Sequence, residues 1–205
     1  MDRIQIKICG LTREEDVLFL SGLGVDFAGF IFVPGSPRFL DLERAGKLTR
    51  LLPAGIRSVG VFLDEEPEKV KETAAVCGLD ILQFHGNEPP EYCEQFSLPY
   101  FKVIGIGRSR VPELPGGYRP VAFLLDTLTK QAPGGTGKTF DWTVACRVVE
   151  SGFPVILAGG LTPQNVRRAV REVKPRGVDV SSGVESAPGI KDHDKMQEFV
   201  CEAQK

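Results

Sequence analysis

The chain has 205 residues and a formal net charge of −2, from 25 basic and 27 acidic side chains. Hydrophobic residues make up 42% and charged residues 25%, which is typical of a globular protein and excludes a disordered chain or a coiled coil. The near-neutral charge, without a long basic run, argues against a nucleic-acid partner and against an anionic membrane surface.

Short β-rich runs alternate with helical patterns along almost the whole chain. The predicted strands lie at 4–9, 26–32, 56–62, 79–84, 100–104, 121–126, 154–158 and 178–181. The predicted helices lie at 13–22, 42–52, 68–77, 90–95, 142–150, 163–173 and 192–202. Thr12 and Glu15 fit a capping box for the first helix, and Thr162 followed by Pro163 fits an N-cap with proline at the first helical position.

This alternation predicts parallel βαβ units and therefore an α/β fold. Eight strands and seven helices leave no segment for a second domain, so we expect a single-domain (β/α)8 TIM barrel over residues 1–205. A doubly wound open sheet is the alternative. The stretch 105–120 is rich in glycine and proline without a helical period, so we expect the barrel to lack a regular fifth helix.

Alternation of side chains along the strands predicts which residues face the barrel interior. In the first strand the isoleucines form the apolar face that should meet the helices, which turns Lys7 and Cys9 inward. The same reasoning turns His85, Asp126 and Asp179 toward the interior. Polar side chains would then collect at the barrel mouth, where active sites of this fold lie, although polar residues also end strands for no functional reason.

Two glycine-bearing loops follow the last two predicted strands. Gly159 and Gly160 come after the seventh strand, and Ser182 and Gly183 come after the eighth. In TIM barrels these loops often bind phosphate, because glycine lets the backbone N–H groups approach an anion closely. We therefore predict a phosphorylated ligand, with ordinary turn chemistry as the alternative.

Two further loops carry weaker signals. The segment 132–139 imitates a phosphate-binding P-loop, but Ala132 replaces its first glycine and the segment does not directly follow a strand. We interpret it as a loop at the barrel mouth. Arg38, in a loop stiffened by two prolines, is suited to bidentate binding of a carboxylate or phosphate, although a solvated surface arginine is the simpler interpretation.

Cys9 and Asp126 are the candidates for acid–base chemistry. A free thiol has a pKa of about 8.5, and a nearby Lys7 would increase its thiolate fraction. Asp126 follows an apolar run, so burial could raise its pKa and make it a general acid, with a loop or N-cap role as the alternative. For Lys7 and Asp179 we predict an interior ion pair that joins the first and last strands.

The cysteines do not indicate disulfides or a metal site. There are 5, an odd number, with no C-x-x-C pair and no histidine at a zinc-like spacing. We therefore expect free thiols and no bound metal. Together with the absence of an apolar span of about 18 residues and of a signal-peptide segment, this predicts a cytoplasmic protein without a membrane partner.

An ordered set of motifs resembles the phosphoribosylanthranilate isomerase family of tryptophan biosynthesis. The motifs are KICGLT at 7–12, FVPGSPR at 32–38, QFHGNE at 83–88, LLDT at 124–127, GGTG at 134–137 with FDW at 140–142, AGGL at 158–161 with NV at 165–166, and VSSGVE at 180–185. They cover nearly the whole chain, and the ordered set is far more specific than any one of its motifs.

The resemblance implies a cofactor-free Amadori rearrangement of N-(5-phosphoribosyl)anthranilate to 1-(2-carboxyphenylamino)-1-deoxyribulose 5-phosphate, an aldose–ketose isomerisation. It implies that Asp126 is the general acid, Cys9 is the general base, and Arg38 holds the substrate carboxylate. The loops at Gly159 and Gly160 and at Ser182 and Gly183 would hold the phosphate. Lys7, His85 and Asp179 would line the site, and the resemblance gives His85 no definite role.

Two other classes of function remain as alternatives. One is a neighbouring phosphate-sugar barrel enzyme, such as indole-glycerol-phosphate synthase or a phosphoribosyl isomerase of histidine biosynthesis. The histidine-pathway enzyme is expected to use a carboxylate where Cys9 stands. The other is a non-catalytic phosphate-sugar-binding barrel, which would not need both Cys9 and Asp126. The sequence leaves the oligomeric state undetermined.

Overall fold

The structure is a computed structural model that describes residues 3–107, 116–127 and 141–205. The P-loop-like segment 132–139 lies outside the described residues. So does half of the stretch 105–120 that was predicted to lack the fifth helix, namely 108–115. Its described parts, 105–107 and 116–120, contain the end of a strand and a turn but no helix.

The eight predicted strands are present and form a closed parallel barrel in chain order. They are β1 (Gln5–Cys9), β2 (Phe27–Ile31), β3 (Arg57–Phe62), β4 (Ile81–Phe84), β5 (Tyr100–Ile106), β6 (Ala122–Thr127), β7 (Val155–Leu157) and β8 (Gly177–Val180). The ring closes because β1 pairs with both β2 and β8, with Lys7 opposite Phe27 on one side and Asp179 on the other. The TIM-barrel prediction is therefore confirmed, and the open-sheet alternative is wrong.

The helices of the described residues match the predicted ones with small changes at their ends. They are α1 (Glu14–Phe19), α2 (Leu42–Arg50), α3 (Pro67–Cys77), α4 (Pro90–Cys93), α5 (Trp142–Glu150), α6 (Pro163–Val173) and α7 (His193–Ala203). None of them is long and apolar enough to cross a membrane.

The two capping predictions have opposite outcomes. Thr162 caps α6 as predicted, and its backbone N–H donates to Oδ1 of Asn165 at 2.8 Å. The capping box of α1 is wrong, because the N-cap residue is Arg13 and no side chain caps the helix. The Thr12 hydroxyl instead donates to the carbonyl of Gly189, so a distant loop has taken the group that the local pattern assigned to the helix.

A small element after β8 was not predicted. A 3₁₀ turn (Ser182–Val184) leads into an antiparallel hairpin formed by β9 (Glu185–Ala187) and β10 (Ile190–Lys191). The strands are two and three residues long, too short for a period-2 pattern to be visible in the sequence. This hairpin lies between the end of the barrel and α7.

Apolar side chains form two layers, as expected for a barrel wrapped by helices. One layer fills the interior: Phe27, Val59, Ile81, Phe101, Val103, Ala122, Leu124, Ile156 and Ala158. The other lies between the strands and the helices and includes Ile6 and Ile8. The outward face assigned to the isoleucines of β1 is thus confirmed.

Candidate active site

The predicted ion pair between the first and last strands is present. Nζ of Lys7 donates to Oδ1 of Asp179 at 3.0 Å, and the two residues are register partners on β1 and β8. The Lys7 side chain is fully buried. Burial opposes its charge and the Asp179 carboxylate favours it; the pKa of Lys7 is raised overall, so the ammonium is retained.

Cys9 lies buried at the carboxyl end of β1, directly beside Lys7. A glycine on the neighbouring strand makes room for it, since a Cβ at Gly29 would lie 2.7 Å from its Sγ. Burial raises the pKa of the Cys9 thiol, and the Lys7 charge offsets this only in part while Asp179 adds to it. Lys7 therefore lowers the pKa of Cys9 as predicted, but desolvation raises it by more.

Asp126 ends the inward face of β6 and lies opposite His85, with 3.6 Å between its Oδ2 and Nε2 of the imidazole. Burial raises the pKa of Asp126 to about 6, although a hydrogen bond from the Thr127 N–H favours the carboxylate. Burial, with the charges of Lys7 and Lys102, lowers the pKa of His85 to about 4. The imidazole is thus neutral at pH 7, and a useful fraction of Asp126 is protonated.

Arg38 reaches the mouth from the loop after β2, and its guanidinium already has a carboxylate partner. Nε and Nη2 donate to the two Glu185 oxygens at 2.8 and 2.6 Å. Glu185 also accepts from Nζ of Lys191 at 2.8 Å. The Arg38 stem lies across Gly10, where a Cβ would come 2.4 Å from its Cδ. The predicted bidentate geometry is therefore present, but inside the protein and toward Glu185.

The two glycine-bearing loops pack against each other at the mouth. Gly159 and Gly160 have φ values of +81° and +65°, a region that favours glycine. Among the described residues, neither of their backbone N–H groups donates to a protein acceptor. A Cβ at Gly183 would lie 1.9 Å from the carbonyl oxygen of Leu161, so the second loop needs glycine to touch the first.

The loop after β7 also touches the candidate acid. A Cβ at Gly159 would lie 3.0 Å from Oδ1 of Asp126 and 2.4 Å from Oγ1 of Thr127. The structure therefore brings Lys7, Cys9, Arg38, His85, Asp126, Gly159, Gly160, Asp179, Ser182 and Gly183 to one end of the barrel, where the carboxyl ends of the strands lie. An anion held by the glycine loops would be next to Asp126.

Sequence reasoning missed two residues of this mouth. Glu185 stands in a motif quoted for the resemblance, but no role was assigned to it, and Lys191 belongs to the unpredicted hairpin. The signal for Glu185 was its place directly after the second glycine loop. No sequence signal marked Lys191, because its burial depends on tertiary contacts alone.

Apart from Cys9, the cysteines are small buried residues or surface residues. All five are free, with Cys9, Cys77 and Cys93 buried and Cys201 exposed. Within residues 3–107, 116–127 and 141–205, no group of three or more histidine, cysteine or acidic side chains could hold a metal ion.

Comparisons with known proteins agree on one family. The sequence profile described as N-(5′-phosphoribosyl)anthranilate (PRA) isomerase matches residues 6–202. The isomerase of that name from Trichlorobacter lovleyi is 42% identical over 200 residues, 98% of each chain. The one from Hahella chejuensis is 45% identical over 202 residues, 98% of this chain and 94% of that one.

Solved structures give the same result. The phosphoribosyl anthranilate isomerase of Thermotoga maritima superimposes with a TM-score of 0.90 at 42% identity over 98% of both chains. A second structure, with a TM-score of 0.87 at 39% identity and 98% of both chains covered, is a phosphoribosyl anthranilate isomerase in complex with reduced 1-(o-carboxyphenylamino)-1-deoxyribulose 5-phosphate.

Proposed function

The chain belongs to the N-(5′-phosphoribosyl)anthranilate isomerase family, and on this premise we propose how its barrel mouth carries out the isomerisation. The protein is a phosphoribosylanthranilate isomerase of tryptophan biosynthesis. In the proposed reaction, N-(5-phosphoribosyl)anthranilate becomes 1-(2-carboxyphenylamino)-1-deoxyribulose 5-phosphate by general acid–base catalysis. The route uses side chains of this chain and no cofactor.

Asp126 is the general acid. It protonates the ribose ring oxygen, the ring C–O bond breaks, and the electrons of the anilino nitrogen form a Schiff base. The observation that carries this assignment is the buried position of Asp126 at the mouth, where its pKa is raised to about 6. A carboxyl group with this pKa is protonated often enough near neutral pH to donate a proton.

Cys9 is the general base that removes the C2′ proton of the Schiff base. The product of this step is an enolamine, which tautomerises to the ketone, so one proton enters and one leaves. Because the pKa of Asp126 lies below that of Cys9, the reactive form, with the proton on the acid and none on the base, is a minor one. The positive charge of Lys7 beside the thiol favours that form.

Arg38 and the two glycine loops position the substrate. Nη1 of Arg38 has no hydrogen-bond partner among the described residues and is free for the anthranilate carboxylate. The N–H groups of Gly159 and Gly160, with Ser182 and Gly183 facing them, bind the phosphate. Anchoring both ends of the substrate holds the ribose between Asp126 and Cys9.

The neutral imidazole of His85 lies beside Asp126 and lines the site.

We also propose that residues 1–205 form one barrel domain. A cytoplasmic location is proposed from the five free cysteines, two of them at least partly accessible. The ligand is a small phosphorylated molecule, as in the related structure that holds the reduced product analogue.

The function is tested by following the loss of anthranilate fluorescence when the purified protein is given phosphoribosylanthranilate. The variants Cys9→Ala and Asp126→Ala should each lower kcat by about 10²–10⁴-fold with little change in KM, because each removes one proton transfer. Wild-type kcat in both variants would contradict the acid–base assignment.

Arg38→Ala should mainly raise KM, and an unchanged KM would contradict its role in binding the carboxylate.

A further inference from the structure

Three charged side chains on one side of the mouth do not balance one another. Arg38 and Lys191 share a single carboxylate, that of Glu185, with contacts of 2.6 and 2.8 Å. The side chains of Lys191 and Glu185 are 0% and 5% exposed, and that of Arg38 is 11% exposed. The cluster of Arg38, Glu185 and Lys191, called here the mouth cluster, therefore carries a net charge of +1 where water is largely excluded.

Among the described residues, no neighbouring group cancels this charge. The buried Asp16 carboxylate near Lys191 is already paired with Arg13, at 2.7 and 2.9 Å. Lys7 and Asp179 neutralise each other, and burial keeps Cys9 a neutral thiol at neutral pH. Asp126 is on β6, which lies across the eight-stranded ring from the loop after β2 that carries Arg38. An uncompensated buried charge is costly, so this one points to an anion that completes the balance.

Lys191 is held in place from three sides. Burial lowers the pKa of its ammonium group, and the Glu185 carboxylate opposes this and favours the charged form. The backbone N–H of Lys191 donates to the buried carboxylate of Asp16 at 3.2 Å, and Arg13 donates to its carbonyl at 3.1 Å. Its ammonium donates to the carbonyl of Ser181 at 3.2 Å as well as to Glu185. Lys191 thus ties the β9–β10 hairpin to the start of α1 through its backbone and to the residue after β8 through its side chain.

We propose that Lys191 is a positioning residue for the substrate carboxylate, because its buried ammonium gives the mouth cluster the net positive charge that the bound carboxylate balances. The proposal rests on the carboxylate role of Arg38 in the proposed function. An Arg38–Glu185 pair alone would be neutral and would attract a second carboxylate poorly. Lys191 does not touch the substrate; it acts through Glu185 and Arg38.

Binding of two ligands tests this without turnover. The first is reduced 1-(o-carboxyphenylamino)-1-deoxyribulose 5-phosphate, and the second is its phenylamino counterpart without the carboxylate. In wild type the carboxylate should strengthen binding. In Lys191→Gln the amide keeps a hydrogen bond to Glu185. This variant should bind the first ligand about tenfold more weakly and the second with nearly unchanged affinity. Lys191→Met serves if the first variant fails to fold.

Two controls distinguish charge from packing. Lys191→Arg keeps the charge and should retain the preference for the carboxylate. Lys102→Met removes another buried lysine, which pairs with Glu88 at 2.8 Å, and should leave the affinity ratio of the two ligands unchanged.

The proposal would be overturned if Lys191→Gln weakened the binding of both ligands equally. It would also be overturned if Lys191→Arg folded but lost the preference for the carboxylate-bearing ligand as completely as Lys191→Gln does. If wild type binds both ligands equally, the carboxylate role of Arg38 fails instead, whatever the Lys191 variants show.

Discussion

At the scale of single residues, burial shifts the pKa values of acidic and basic side chains in opposite directions. Burial raises the pKa of Asp126 to about 6 and lowers that of His85 to about 4, so both side chains favour their neutral forms. The same effect raises the pKa of Cys9, which opposes its proposed role as a base. Burial thus favours the protonated form that the proposed acid requires, whereas the proposed base depends on the nearby positive charge of Lys7 to ionise.

The raised pKa of Asp126 predicts a stability cost that depends on pH. Its folded-state pKa, about 6, exceeds the unfolded value of about 3.9, so the folded state loses stability as pH rises through this window. Asp126→Asn removes the titration. We expect the variant to gain about 2–3 kcal/mol over wild type between pH 4 and pH 8, measured by urea unfolding.

A control of opposite sign is available at Asp141, the N-cap of α5, whose pKa is lowered by hydrogen bonds from Thr143. Its contribution to stability is present above the unfolded pKa and is lost as pH falls. Asp141→Asn should therefore lose stability relative to wild type as pH rises. If the difference in unfolding free energy between Asp126→Asn and wild type did not change with pH, Asp126 would titrate as an ordinary exposed aspartate.

At the scale of elements, the loops that follow the last two strands behave as one unit. The loop after β7 approaches Asp126 and Thr127 on β6, and the 3₁₀ turn after β8 rests on the carbonyl of Leu161. The glycines predicted for phosphate binding therefore also bring three strand ends together.

Gly183→Ala tests this unit. The new Cβ would meet the Leu161 carbonyl oxygen at 1.9 Å, and backbone cannot move away as a flexible side chain can. We expect a loss of about 1–3 kcal/mol in unfolding free energy and weaker binding of the reduced product analogue by titration calorimetry.

Gly107→Ala is the matched substitution, because the added Cβ there meets no atom of the described residues within 4 Å. It should leave both the unfolding free energy and the ligand affinity close to wild type. Equal losses in the two variants would mean that contact between the loops does not matter.

At the scale of the whole molecule, the barrel is closed at the seam between β1 and β8. Four register pairs join these strands, and the Lys7–Asp179 ion pair lies inside the ring at one of them. The pair therefore links residues that are 172 positions apart in sequence. Apolar side chains fill the interior below, so the charges have few other partners.

Removing one partner of this ion pair should lower the unfolding free energy more than replacing both partners with apolar residues. Lys7→Met leaves the Asp179 carboxylate buried without its partner, and we expect a loss of about 3–5 kcal/mol in urea unfolding. The double variant Lys7→Met/Asp179→Leu should recover much of that loss, because no unpaired charge remains. A double variant as unstable as the sum of the two single variants would contradict this expectation, because additive losses mean that Lys7 and Asp179 have no interaction energy.

The local signals in the sequence determined most of the fold. Eight strands, their inward faces and the loops after β7 and β8 follow from period-2 alternation and from glycine, which act over a few residues. The same alternation turned Lys7, Cys9 and Asp126 toward the barrel interior. The capping-box pattern failed at Thr12, whose hydroxyl donates to the carbonyl of Gly189. The alternation missed the β9–β10 hairpin, whose strands are too short to show a pattern.

The sequence by itself determined the barrel, the family resemblance and the candidate acid and base. Only the tertiary structure decided the electrical environment of these residues: that burial outweighs Lys7 at Cys9, and that Glu185 and Lys191 surround Arg38. The physical reason is that strand periodicity is a local property of the chain. Desolvation and charge balance depend on groups that are far apart in sequence and meet only when the barrel closes.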